Sequence, residues 1–140
     1  MIYGIGTDIV QLSRMEALWL RHGMRLAQRV LSQSELAGLP AEQPWRFIAK
    51  RFAVKEAFAK AAGTGLRHPV TLSNLSLAHD HLGRPEFECA EALQNWLDER
   101  EISRVHVSLS DEREMVVAFV IMEVAGGVSG RSWWRWQGWN

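Results

Sequence analysis

Asp8 stands near the end of an apolar run, Ile2 to Val10, where a carboxylate is costly unless it is paired or holds a metal ion. A plainer use for the same residue is a turn or a helix cap. A second carboxylate lies in the stretch Arg51 to Lys60, where Phe52, Glu56 and Lys60 recur at i, i+4 and i+8 and form one helical stripe. Glu four residues ahead of Lys is the favourable order for an exposed helix pair, which contributes about 0.2–0.5 kcal/mol. Phe52 and the neighbouring Ala53, Ala57 and Ala61 suggest instead that this face packs against something. Gly63-Thr64-Gly65 follows directly, a glycine-flanked loop that can come close to a phosphate. It is no Walker loop, because Gly-x-x-x-x-Gly-Lys is absent.

Other chemistries find little support. His22, His68, His79, His81 and His106 are scattered, with no His-x-x-x-His or Glu-x-x-His spacing for zinc. No Gly-x-Ser-x-Gly elbow marks a serine hydrolase, and Cys89, the only cysteine, reads as a core residue of a strand. Arg14, Arg21 and Arg25 share a face of an ideal helix. That face is either a solvated basic surface or a dock for an acidic protein.

The elements that must position these residues follow from pattern. Ile2 to Val10 reads as a strand in which Gly4 and Gly6 admit close approach of other backbone. Ser13 is the expected N-cap of a helix to about His22, broken at Gly23, and Met24 to Leu31 resumes helical spacing. Ser32-Gln33-Ser34-Glu35 fits a capping box. Pro44 to Ala62 is the strongest helix, started by proline and stopped by Gly63. Leu75 to His79 and Pro85 to Cys89 form a hairpin through Asp80-His81-Leu82-Gly83. An amphipathic helix over Ala90 to Glu101 and an antiparallel pair, Val105 to Ser110 with Met115 to Val124, complete an α+β domain. Residues 125–140 form a tail that carries Trp133, Trp134, Trp136 and Trp139.

Composition sets the outer limits. A chain of 140 residues is one domain by length, and 47% hydrophobic with 23% charged residues is that of an ordinary folded protein. A single cysteine excludes an internal disulfide and fits a reducing compartment. Net charge is zero, yet residues 14–67 hold ten basic and four acidic side chains, a net of +6, while residues 80–123 hold four basic and eleven acidic, a net of −7. Either one surface is electropositive and suits an acidic or phosphate-bearing partner, or the two halves neutralise each other in the fold or across an oligomer interface. No export signal or membrane-length apolar run is present, so a cytoplasmic protein without membrane contact is expected.

Together the pieces resemble a known family. Gly6-Thr7-Asp8-Ile9-Val10 followed by Arg14, then Arg51 to Ala61 with Gly63-Thr64-Gly65, then Val105 to Glu112, are similar in order and spacing to three signature blocks of the bacterial holo-acyl-carrier-protein synthases. The resemblance covers residues 1–124 and omits the tail. It implies a compact phosphopantetheinyl-transferase domain, an antiparallel sheet packed against helices, assembled as a homotrimer. It also implies transfer of the phosphopantetheine moiety of coenzyme A to a serine of apo acyl carrier protein, with release of adenosine 3′,5′-bisphosphate, in support of fatty acid biosynthesis.

By the same resemblance Asp8 and Glu56 are magnesium ligands, a hard-oxygen pair that suits the ion when substrate phosphate completes its shell. Lys60, one turn beyond Glu56, is expected at a phosphate oxygen or the departing group. The base is Glu56 itself or a metal-bound water. Arg51, Lys55, Gly63 and Gly65 are further candidates for coenzyme A, and Arg14, Arg21 and Arg25 for the carrier protein. One position departs from the pattern: many members carry His where this chain has Asp111, so no base role passes to it. The rival readings are a non-catalytic module that binds coenzyme A or nucleotide, and an interaction protein using its basic helix and Trp tail on nucleic acid. Zero net charge and the lack of aromatics around Arg14 to Arg29 speak against nucleic acid.

Overall fold

Gly4 and Gly6 decide how the layers meet. In the computed structural model, which describes residues 1–126, both lie on the strand β1 (Ile2–Gln11) directly under the long helix α4 (Pro44–Ala62). A Cβ at Gly4 would overlap the carbonyl oxygen of Ala61, and one at Gly6 that of Ala57. Only glycine lets the helix backbone settle this close to the strand. The alanines at 57 and 61, both buried, complete the contact from the helix side.

Between these elements the chain forms α1 (Leu12–His22), α2 (Met24–Val30) and α3 (Gln33–Ala37). After α4 come the hairpin β2 (Leu75–His79) and β3 (Pro85–Cys89), then α5 (Glu91–Glu99), β4 (Ile102–Asp111) and β5 (Met115–Val124). The main sheet has the order β1-β5-β4, antiparallel throughout, and β2-β3 form a second small sheet. In β5, Val116, Ala118, Val120 and Met122 point inward and are fully buried against α4, whose Ile48, Ala49, Ala53 and Phe58 close the core. Each large apolar side chain so buried contributes about 1.5–3 kcal/mol. The α+β architecture expected from the sequence is thus present, as is an antiparallel sheet covered by helices on one face.

Some boundaries moved. The N-cap of α1 is Gln11 rather than Ser13, and it makes no side-chain capping bond. The junction is held instead by the Leu12 N–H, which donates to the Glu114 carbonyl at 2.9 Å. α5 stops at Glu99, and β4 begins earlier than expected, at Ile102. The capping box at Ser32 and Glu35 and the bounds of α4, β2, β3 and β5 agree with the sequence reading. Gly23 interrupts the helix as anticipated, so Arg14 and Arg21 sit on α1 while Arg25 belongs to α2. Val124 does end the last strand, whereas the tryptophans of the tail lie outside the described residues.

Candidate active site

β1 and α4 bring Asp8, Glu56 and Lys60 together. Asp8 shares the inward face of β1 with Gly6 and Val10, because alternate residues of a strand share a face, and its register partner on β5 is the buried Ala118. Its side chain is only 16% exposed. The glycine two residues before it lets α4 descend far enough for the Lys60 ammonium to reach across. Lys60 Nζ donates to the Thr7 carbonyl at 2.9 Å and to Asp8 Oδ1 at 3.2 Å.

Glu56, one turn before Lys60 on the same helix stripe, is half-buried. Burial raises its carboxyl pKa above the ordinary range, and the nearby Asp8 charge adds to the rise while Lys60 opposes it. Two carboxylates competing for one lysine form a site short of positive charge. The donor set is two hard oxygen ligands from two different elements, and among the described residues no group of three or more His, Cys, Asp and Glu gathers elsewhere as a metal cluster. Two hard-oxygen carboxylates fit magnesium, which rarely uses an all-protein cage and takes the rest of its shell from water and phosphate.

The other cations proposed for coenzyme A do not join this centre. Lys55 precedes Glu56 by one residue and so points about 100° away around the helix. Its side chain is fully buried, and its ammonium donates to the Val30 carbonyl at 2.8 Å, the Leu72 carbonyl at 2.8 Å and Glu35 Oε1 at 2.5 Å. All three donors are engaged, which removes Lys55 from the phosphate ligands. Burial pushes its pKa down, and the Glu35 carboxylate resists that shift. Arg51 lies on the Lys55 side of the helix. Its guanidinium stacks 3.4 Å over the Phe47 ring, Nη1 donates to the Phe47 carbonyl, and Nε is 3.7 Å from Glu35 Oε2. Arg51 therefore braces Phe47 and Glu35 instead of facing Asp8.

Gly63 and Gly65 serve the helix end. Gly63 adopts the left-handed conformation at φ 78°, and its N–H donates to the Ala59 and Lys60 carbonyls. The Gly65 N–H donates to the Ala59 carbonyl as well. These are C-capping bonds, and they leave neither amide free to cradle a phosphate. Arg14, Arg21 and Arg25 are exposed, on the two helices that follow β1.

The residue that sequence reasoning missed is Glu35. One oxygen accepts from the Ser32 N–H and Lys55, the other from the Leu77 N–H at 2.9 Å. The capping box signalled its helix-start role, but nothing local signalled the lysine or the β2 amide. Apart from this network, a polar cavity of about 420 Å³ opens between the start of α1, the start of α4 and the β4–β5 turn, with Gln43, Trp45, Arg46 and Arg113 among its walls.

A sheet-borne carboxylate set against a helix-borne Glu and Lys can bind a hard cation and meet a phosphate-bearing substrate. Comparison with known proteins narrows this class. The profile described as the 4′-phosphopantetheinyl transferase superfamily matches residues 4–120. A holo-[acyl-carrier-protein] synthase from Laribacter hongkongensis is 53% identical over 124 residues, which is 88% of this chain and 99% of that protein. The crystal structure of holo-[acyl-carrier-protein] synthase from Neisseria meningitidis aligns with a TM-score of 0.84 at 52% identity, covering 88% of this chain and 99% of that one. A Bacillus anthracis synthase solved in complex with CoA (3′,5′-ADP) aligns at 0.72 with 33% identity, over 89% and 99% of the two chains. The chain belongs to the 4′-phosphopantetheinyl transferase superfamily, on the branch of the holo-acyl-carrier-protein synthases.

Proposed function

We propose that this chain transfers the phosphopantetheine moiety of coenzyme A to a serine of apo acyl carrier protein. The observation that carries the reading is the convergence of Asp8, Glu56 and Lys60 where β1 and α4 touch, inside the span of the family match. The serine oxygen bonds to the β-phosphorus of coenzyme A, the bond from that phosphorus to the bridging oxygen breaks, and adenosine 3′,5′-bisphosphate leaves with the oxygen. The serine proton goes to Glu56, whose carboxylate would offer one oxygen to that proton and the other to the ion. Lys60, half-exposed and anchored through Thr7 and Asp8, meets the phosphate oxygens that gather charge as the bond breaks. Asp8 and Glu56 are the residues that would hold magnesium, which would supply neutralising charge to the diphosphate.

The assembly and setting belong to the same reading. The outer face of the sheet, away from α4, exposes Ile5 (43%), Ile9 (60%), Met115 (37%) and Phe119 (49%). An apolar sheet face of this kind calls for a protein cover, and a homotrimer of this chain supplies it. The basic α1 and α2 surface, with Arg14, Arg21 and Arg25, receives the acidic carrier. The work is that of a cytoplasmic enzyme feeding fatty acid biosynthesis, and no described helix is long and apolar enough to cross a membrane. The transferase domain is residues 1–124, which contain the family match.

Transfer of a labelled pantetheine arm from coenzyme A, followed in Asp8→Asn, Glu56→Gln and Lys60→Met proteins, tests the residue assignments. Each variant should fold normally and lose turnover by about 10²-fold or more, the range for removing a general base or a charge-stabilising donor. Near-native turnover at limiting magnesium in either carboxylate variant would move the metal site elsewhere.

A further inference from the structure

Asp111 is the signature position that departs from the family pattern, and the structure gives it partners. It ends β4, and its two oxygens are held by two cations from the first half of α4: Lys50 Nζ at 2.7 Å on Oδ2 and Arg46 Nη1 at 3.5 Å on Oδ1. Arg46 also reaches past the carboxylate, with Nη2 donating to the Arg113 carbonyl at 3.1 Å. The β4–β5 turn closes through the Glu112 N–H on the Met115 carbonyl. On its far side the Glu114 carbonyl accepts the Leu12 N–H, the first amide of α1. One short turn is therefore tied to α4 by charge and to the start of α1 by a backbone bond. α1 has no other cap at that end, since Gln11 makes no side-chain bond.

We propose that Asp111 is a positioning residue. Through Lys50 and Arg46 it fixes the β4–β5 turn against α4, and through that turn it sets where α1 begins and how its arginines are presented. The ion pairs are each about a third exposed, so the device works by combining two cations and a carbonyl on one turn rather than through one strong bond. Its functional consequence rests on the reading that α1 receives the carrier protein.

The test uses the full-length protein with Asp111→Asn, Asp111→Glu, Lys50→Met and the Asp111→Asn/Lys50→Met double variant. Amide hydrogen exchange at Leu12 should quicken about threefold or more in Asp111→Asn, with Leu77 in the β2–β3 hairpin unchanged as a control, the size typical of exposed pairs acting on a local opening. Asp111→Glu should restore most of the protection, and the double variant should be no worse than Asp111→Asn alone. In kinetics, Asp111→Asn should raise KM for the carrier about threefold while kcat and KM for coenzyme A stay within about twofold, a split that general loosening of the fold would not produce. Unchanged exchange at Leu12, additive losses in the double variant, or equal damage to both substrates would each overturn the proposal. Arg14→Glu isolates the docking reading: if it leaves the carrier KM untouched while Asp111→Asn still quickens exchange at Leu12, docking fails and the latch itself stands.

Discussion

Replacing Glu35 by Gln changes one atom and should cost more stability than almost any surface substitution in the molecule. The carboxylate accepts from three sides, with the Ser32 N–H and Lys55 on one oxygen and the Leu77 N–H on the other. A carboxamide has one acceptor oxygen, so either rotamer turns an NH₂ group toward a donor. It also leaves the fully buried Lys55 ammonium without its counter-charge. Breaking a buried pair from one side costs about 3–5 kcal/mol, against a total stability of roughly 5–15 kcal/mol for a domain. With a urea m-value near 2 kcal/mol per molar, the midpoint should fall by about 1.5–2.5 M. Urea titration followed by circular dichroism measures this, at one fixed protein concentration because assembly shifts apparent stability. Lys55→Met added to Glu35→Gln should lose less than the sum of the two single variants, by about 0.5–3 kcal/mol. A loss below about 1 kcal/mol for Glu35→Gln, or additive losses, would refute the view that this network holds α2, α3, α4 and β2 together.

The remaining predictions concern other links. Gly6→Ala places a methyl group on the Ala57 carbonyl, so β1 and α4 must part; about 1–3 kcal/mol of stability should go, with a steep fall in kcat as Asp8 leaves Glu56 and Lys60. Conserved kcat in that variant would mean the close approach does not set the site. Arg14→Glu or Arg21→Glu should raise KM for the carrier strongly and leave KM for coenzyme A nearly unchanged, and added salt should narrow the gap, read by two-substrate kinetics. Asp80 accepts from the Arg84 and Leu82 amides, which hold its carboxyl below the ordinary range. Its contribution is therefore present above the unfolded pKa and lost as pH falls through the lower folded value, so protection of the hairpin amides, relative to their intrinsic exchange at each pH, should fall below about pH 4, and Asp80→Ala should abolish that fall. Truncation after Val124 should leave an active enzyme of unchanged oligomeric state, checked by light scattering and the transfer assay.

Local signals were strong where one element carries its own start and stop. Pro44 and Gly63 bracket α4, and the nearly continuous apolar run of Met115 to Val124 announces a strand apolar on both faces. Gly4 and Gly6 advertised a close backbone approach without saying to what. The partner is α4, some fifty residues on, and the pairing of β1 with β5 joins opposite ends of the domain. Neither contact leaves a local trace. The same limit explains Lys55 and Arg51. Beside Glu56 in sequence they look like further cations of the site, and only the arrival of Val30, Glu35 and Leu72 turns Lys55 into the core. The family blocks pointed to Asp8, Glu56 and Lys60 because the residues proposed for catalysis stand there at fixed spacing, whereas a buried network is built from whatever groups the fold brings into reach.

The most direct test of the central claim is the intact mass of an apo acyl carrier protein after incubation with this protein, coenzyme A and magnesium. The carrier should gain one phosphopantetheine group on its serine, adenosine 3′,5′-bisphosphate should appear in equal amount, and omitting magnesium or using Glu56→Gln should stop both. A carrier of unchanged mass, with coenzyme A bound but intact, would contradict it and leave a coenzyme A-binding module in place of a transferase.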